Sequence, residues 1–202
     1  MTVVDRPRSA APDGQQRRAR IIETAGTLAA AGGYDAVQMR AVAQKTPVAL
    51  ATLYRHFPSK THLLVAVLNT ELERVQDRID RQIVRGASPY DRLMRVVALL
   101  TRSMQREPRL TEATSRALMF ADGSAAADVD AVRALIDEQF ARAMSIGEPN
   151  VEQLAVGSVI GDVWLAAMAA WVSHRLTDEE VIARLALSIG LVLGRQSAGD
   201  LF

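Results

Sequence analysis

Residues 51–60 read "ATLYRHFPSK", and the run just before them, 44–50, reads "QKTPVAL". Tyr54, Arg55, His56 and Lys60 crowd into seven positions, with Pro58 among them. Leu53 and Phe57 stand four apart, so on a helix they share one face, and the polar residues take the other. Pro58 stops such a helix, and Ser59 can cap the next. On the upstream side Pro47 pushes Thr46 out of the α region, so the preceding helix must end at about Lys45. The pattern predicts two short helices, about 38–45 and 49–56, joined by a tight turn. The second is narrow, basic and polar outside.

A short helix pair of this kind is a helix-turn-helix, whose second helix enters the major groove of duplex DNA. Close approach to base edges calls for small side chains, and Ala49, Ala51 and Thr52 supply them. Tyr54, Arg55, His56 and Lys60 can reach phosphates, and Lys60 also lies near a helix N-terminus, where backbone N–H groups favour an anion. Arg40, Arg17 and Arg18 add positive charge. Short helix pairs with exposed basic residues also occur in bundles that bind nothing. Charge distribution favours the DNA reading. Residues 1–62 hold nine Lys/Arg against four Asp/Glu, a balance of +5, and the other 140 hold fifteen against nineteen, a balance of −4. A basic head on an acidic body suggests that the head meets an anion.

Outward from this head, helical periodicity continues almost to the end of the chain. Apolar residues make up 49 % of the 202 residues, and aromatics only 4 %. Ile21, Ile22, Ala25, Leu28 and Ala29 mark a first helix, about 15–31, closed by Gly32-Gly33. The N-terminal 1–14 read as a loose arm. A long fourth helix spans about 59–84. Ser88-Pro89-Tyr90-Asp91 opens a fifth, to about 106, and Pro108 opens a sixth, to about 121. A seventh runs from Gly123-Ser124 to about 146. Asn150 with Gln153, and Thr177 with Glu180, cap the last two. No run reads as strand. The expectation is an all-α protein of about nine helices, with a head at 15–60 and a body at 61–202.

Several function classes are excluded or left without support. Cysteine is absent, so there is no disulfide, thiol nucleophile or Cys-based zinc site. His56, His62 and His174 lack metal-ligand spacing. No Ser-His-Asp order, paired-carboxylate motif or phosphate loop points to an enzyme, and no cofactor or metal is expected. Residues 154–174 are apolar and long enough to cross a bilayer. Asp162 near their middle would cost on the order of 2.5–3.5 kcal/mol there. A helix buried between layers is the simpler reading, and a cytoplasmic protein without a membrane span is expected.

On a helical wheel Gly157, Ile160, Gly161, Trp164, Met168 and Trp171 share one face, and Val156, Val159, Val163, Ala167 and Ala170 an adjacent one. Two apolar faces imply two neighbours. Gly190 and Gly194 are four apart in the last helix, a spacing that lets helices approach closely. A homodimer built on the last two helices is expected, or else these glycines serve internal packing. An apolar interior built from Leu100, Met104, Met119, Phe120, Phe140, Trp164 and Met168 suits a hydrophobic effector, although any single one of them is more often plain core. Arg102, Arg106, Arg109 and Arg116 stand near it and can meet a ligand's anionic groups, although such residues are more often simply solvated.

The run "QMRAVAQKTPVALATLYRHFPSKTHLLVAVL" (38–68) resembles the signature of the TetR family of bacterial transcription regulators, most specifically at 52–60. The resemblance implies an N-terminal DNA-binding domain, a C-terminal ligand-binding and dimerising domain, and a double-stranded palindromic operator. It places DNA contacts at Gln38, Arg40, Leu50, Ala51, Thr52, Tyr54, Arg55, His56 and Lys60. Of these, Tyr54, His56 and Lys60 would mainly hold phosphates, and Arg40 with 50–52 would read bases. Two positions depart from the family pattern. Pro47 stands where a residue able to take positive φ is usual, so the turn must be built differently. Leu50 stands where a polar residue is commoner, and it can pack on a thymine methyl or shield the turn. The segments "GGYDAVQMRAVA" (32–43), "REPRLTEATSRALMFADGSAA" (106–126), "FARAM" (140–144) and "DVWL" (162–165) are similar to a narrower group, the KstR-type repressors of steroid catabolism in actinobacteria. That likeness implies release from DNA by a steroid coenzyme A thioester. A TetR-type regulator of fatty-acid use or drug efflux would share the head and differ in the effector.

Overall fold

The computed structural model describes residues 10–81 and 88–194. Nine α-helices carry these residues: α1 Ala10–Ala36, α2 Met39–Lys45, α3 Leu50–His56, α4 Lys60–Asp80, α5 Pro89–Gln105, α6 Pro108–Met119, α7 Ala126–Met144, α8 Val151–Val172 and α9 Asp178–Val192. A 3₁₀ turn, Gly123–Ala125, precedes α7, and no strand occurs among the described residues. Residues 1–9 of the expected arm, and the expected end of α4 beyond Arg81, lie outside the described residues. Residues 10–14 belong to α1 rather than to a loose arm. Pro12 is the third helical residue, where a missing N–H breaks no helical bond.

The capping signals act locally, as their chemistry dictates. Ser88 and Asp91 exchange hydrogen bonds at the start of α5 (3.1 and 3.2 Å). Asn150 and Gln153 do so at α8, and Thr177 and Glu180 at α9. The Ser59 hydroxyl receives the His62 N–H at the start of α4. Each such cap stabilises its helix by about 1 kcal/mol.

Ile21, Ala25, Val37, Val42, Leu53 and Phe57 form the buried centre of the head. α4 joins head to body: His62 to Leu68 are all buried, because α1 covers this end of the helix on one side and α6 and α7 on others. The body is a helical layer in which α7 packs on α8, α4 and α5, and α9 packs on α8 and α5.

α8 is long and apolar enough to span a membrane, with a mean hydropathy of 1.6. In the fold its Gly157, Ile160, Gly161, Trp164 and Met168 face is buried inside the protein. Asp162 lies on the opposite, exposed side and pairs with Arg133 of α7. The two glycines of this face serve internal packing. A Cβ on Gly157 would stand 2.4 Å from the Asp137 carbonyl oxygen, and one on Gly161 would stand 2.5 Å from Asp137 Oδ1. Gly194 follows α9 with φ +68°, and a Cβ there would meet nothing of the same chain within 4 Å. The apolar residues exposed on this side are Val151, Leu154 and Val159 of α8, and Leu187, Leu191 and Val192 of α9.

Packing at Gly157 and Gly26 sets up opposite responses to one change. Gly26 in α1 has only Val67 Cγ1 near, at 3.6 Å, an ordinary contact. Gly26→Ala will stabilise the protein by about 0.5–1 kcal/mol through lower chain entropy in the unfolded state. Gly157→Ala will destabilise it by about 1–3 kcal/mol, because a backbone carbonyl cannot yield as a side chain can. Urea denaturation midpoints of the two variants check both signs.

Candidate nucleic-acid interface

The turn between α2 and α3 accommodates Pro47 without a positive φ. Thr46 leaves the helix with φ −113° and ψ 148°, while its N–H and its hydroxyl both donate to the Val42 carbonyl (3.1 and 2.9 Å). The Val48 N–H then donates to the Thr46 carbonyl at 2.8 Å, closing a three-residue turn centred on Pro47. An inverse γ-turn asks its central residue for φ near −75°, within reach of a proline ring. The expected unusual turn therefore takes a specific form.

Leu53 and Phe57 are buried, and the Arg18 guanidinium lies 5.1 Å from the centre of the Phe57 ring. These contacts set the rotation of α3 about its axis. Ala51, Tyr54 and Arg55 consequently share the solvent face, with Tyr54 46 % exposed. Gln38 and Arg40, at the start of α2, are exposed as well. Thr52, His56 and Lys60 are half-buried. Leu50 packs against the core, which favours shielding of the turn over a reach toward bases.

Lys60 does not project freely. Its Nζ sits 3.6 Å from the centre of the Tyr34 ring, and burial pushes its pKa below the usual lysine value, against the pull of Asp35. Arg116 of α6 places its guanidinium carbon 4.3 Å from the same ring. Around this pair, α6 takes hold of the end of α1. Arg109 Nη1 donates to the Ala31 carbonyl at 2.5 Å, and the Tyr34 N–H donates to Glu112 Oε2 at 3.3 Å. A second link runs from α4: His62 Nε2 donates to the Ser124 carbonyl at 3.1 Å, so its Nδ1 accepts from the Ser59 hydroxyl at 2.8 Å.

The four arginines expected beside the effector therefore separate. Arg109 and Arg116 hold the head. Arg102 and Arg106, with Arg78, wall a groove of about 310 Å³ between α4 and α5, floored by Val75, Ile79 and Leu99. A larger cleft, about 720 Å³, lies between the start of α6 and the α8–α9 connection, lined among others by Arg109, Glu112, Trp171 and Arg175. The apolar set separates too. Leu100, Met104, Phe140, Trp164 and Met168 lie together in the core, where Trp164 meets Phe140 edge-on and gives its indole N–H to Thr101 Oγ1 (3.0 Å). Met119 and Phe120 are exposed, because α6 ends there and its buried face runs through Leu110, Ala113, Thr114 and Ala117. Tyr34 and Glu112 escaped the sequence reading. Only a fold that brings α6 onto α1 gives them a role.

Comparison with known proteins follows the same division. The family model "Bacterial regulatory proteins, tetR family" matches residues 21–67, and "Tetracyclin repressor-like, C-terminal domain" matches 86–192. This chain belongs to the TetR family. It is 50 % identical over 184 residues to the HTH-type transcriptional repressor KstR of Mycobacterium tuberculosis, covering 91 % of this chain and 84 % of that one. With KstR of Rhodococcus jostii it shares 51 % over 180 residues, 89 % and 84 % of the two chains. A TetR transcriptional regulator from Rhodococcus sp. RHA1 superposes with a TM-score of 0.80 at 28 % identity, over 89 % and 96 % of the two chains. Thermus thermophilus FadR, solved with lauroyl-CoA, superposes with a TM-score of 0.72 at 17 % identity, over 92 % and 97 %, a likeness of fold. The chain is thus a KstR-type DNA-binding transcriptional repressor of the TetR family, and its relatives are regulators rather than enzymes.

Phosphate contacts from α3 and the start of α4 would act on every duplex alike. Tyr54→Phe will weaken binding to specific and nonspecific DNA by a similar factor, roughly 10-fold, through loss of one hydrogen bond to a charged oxygen. Lys60→Ala will lower the slope of log K against log[salt] by about 0.9. Fluorescence anisotropy titrations at several salt concentrations measure both.

Proposed function

We propose that this protein is a homodimeric repressor of steroid or related lipid catabolism genes, released from a palindromic operator by an apolar acyl-coenzyme A of the steroid type. The observation that carries the reading is the grip of α6 on the end of α1. Through Arg109, Glu112 and Arg116 the body holds the end of α1, against which α2 of the head packs. The likeness to the KstR-type group over most of the chain supports the steroid pathway. Thermus thermophilus FadR with lauroyl-CoA and Bacillus subtilis FadR with stearoyl-CoA share the fold and support the coenzyme A thioester. An apolar interior with the arginine-walled groove of α4 and α5 at its edge suits an effector with an oily body and an anionic tail. The protein acts where the chromosome is, in the cytoplasm.

Two heads are needed, because one short helix reads only a few base pairs. Two of them about 34–36 Å apart read successive major grooves. The exposed apolar stripe of α8 and α9 supplies the dimer surface. The effector binds better to the body shape that holds the heads at the wrong spacing, and so shifts the population away from the DNA-binding form. Gln38, Arg40, Ala51 and Thr52 serve base reading in this scheme, with Leu50 behind them, while Tyr54, Arg55, His56 and Lys60 hold phosphates.

The test is a thermal-shift and DNA-release panel of steroid acyl-CoAs, fatty acyl-CoAs and cationic drugs. A selective ligand at 100 times its Kd stabilises by about 2.7 kcal/mol. Steroid thioesters are expected to raise the melting temperature and free the operator. A response to fatty acyl-CoAs or to drugs alone overturns the steroid assignment. Replacing Leu187 and Leu191 together by Glu will yield monomers in sedimentation and reduce operator affinity by about 100-fold or more, as the second half-site loses its effective concentration.

A further inference from the structure

Six polar side chains are buried among the described residues: Thr46, His62, Thr101, Thr111, Thr114 and Gln139. Five of them have partners close at hand. The threonine hydroxyls of 46, 111 and 114 bond nearby carbonyls, Thr101 receives the Trp164 indole, and His62 is held at both ring nitrogens. Gln139 of α7 is different. It is 3 % exposed, and both its amide oxygen and its amide nitrogen lack a hydrogen-bond partner. An amide kept from water without partners is costly, and native proteins rarely retain one without a use for it.

The position of Gln139 on α7 says which way it faces. Asp137 and Ala141 form the ridge that meets Gly157 and Gly161 of α8. At 3.6 residues per turn Gln139 lies about 160° round the helix from either of them. It is nevertheless covered, and the other long helices packed on α7 are α4 and α5. Arg92 of α5 bonds the carbonyls of Ala143 and Met144, one turn further along α7, which places α5 on that flank. Gln139 therefore points into the interior bounded by α4, α5 and α7. The arginine-walled groove opens between α4 and α5 of the same layer.

We infer that Gln139 is the specificity-determining contact for the effector, taking a neutral oxygen, a ketone or hydroxyl, carried on the ligand's apolar body. This rests on the acyl-coenzyme A reading given above and adds to it what the buried part of the ligand must carry. An amide offers two donors and an acceptor, so it pairs with a hydroxyl in either sense or with a ketone through its N–H. A charged group does not fit there. Among the described residues no buried side chain is a lysine, arginine, aspartate or glutamate, and an unpaired ion in such surroundings is far costlier than an unpaired amide. A site built to bond an oxygen rejects the analogue that lacks it, because its own polar group is then stranded.

The experiment uses two probes, a steroid-carboxylate coenzyme A thioester with a ring ketone and the same thioester without it. Binding to the full chain is followed by calorimetry, and DNA release by anisotropy. The wild-type protein is expected to prefer the ketone by about 10-fold or more. Gln139→Met keeps the volume and removes the polar atoms, and should bring that ratio to within about 2-fold of unity, mainly by weakening the ketone thioester. Gln139→Leu repeats the readout in case the Met variant folds poorly. Equal binding of both thioesters to wild type overturns the Gln139 assignment and leaves the effector reading standing. A ratio that survives both substitutions overturns it too, and so does a loss of thermal stability with the ratio unchanged, the mark of an amide that serves an internal water. Binding of neither thioester overturns the effector reading together with the inference.

Discussion

The bend in α1 at Gly32 and Gly33 is the constraint on which the arrangement of head and body depends. Gly33 takes φ +69° and ψ −162°, a conformation essentially closed to residues with a Cβ. Two backbone groups flank the bend, the Ala31 carbonyl and the Tyr34 N–H. The Tyr34 N–H is half-buried and needs a partner, which α6 supplies through Glu112, and Arg109 of the same helix reaches the exposed Ala31 carbonyl. A straight helix would satisfy these groups internally and leave α6 nothing to hold. The bend also turns Tyr34 toward α4 and α6, where Lys60 and Arg116 approach its ring. Head, linker helix and body thus meet at one aromatic side chain.

The shared helix makes that junction consequential. α4 starts just after α3, capped by Ser59, and is buried by body helices within its first two turns. His62 ties this start to the Ser124 carbonyl, just before α7. α6 and α7 therefore meet the head along two routes, one through α1 and one through α4. Both consist of few bonds between rigid elements, which is how small shifts become changes between discrete states.

What the sequence reveals, and what it hides, divides along the same line. The capping boxes of α5, α8 and α9, the end of α2 before Pro47 and the inward turn of Leu53 and Phe57 are local matters. Residues three or four apart decide them, so they can be read from spacing. The family motif at 52–60 is equally local. The grip of Arg109 on Ala31 spans 78 positions, and no periodicity encodes it. Arginine positions alone drew Arg102, Arg106, Arg109 and Arg116 into one group, while helix packing sends two of them to the head and two to a groove. Met119 and Phe120 look like pocket residues by composition and stand outside because α6 ends beneath them. Spacing puts Gly157 and Gly161 on one face of α8, and only the approach of Asp137, by its carbonyl to Gly157 and its carboxylate to Gly161, shows that this face packs inside the chain.

Magnitudes show that so few bonds suffice for regulation. Coupling between effector and DNA sites typically amounts to about 1–3 kcal/mol, a 5- to 150-fold change in affinity. A single hydrogen bond to a charged group contributes about 1.5–3 kcal/mol. The half-buried bond between the Tyr34 N–H and Glu112 is of that order. The same numbers explain why the contacts sit at a bend in the chain and not along a continuous helix. In a continuous helix the freed backbone groups would find each other again and return most of the energy.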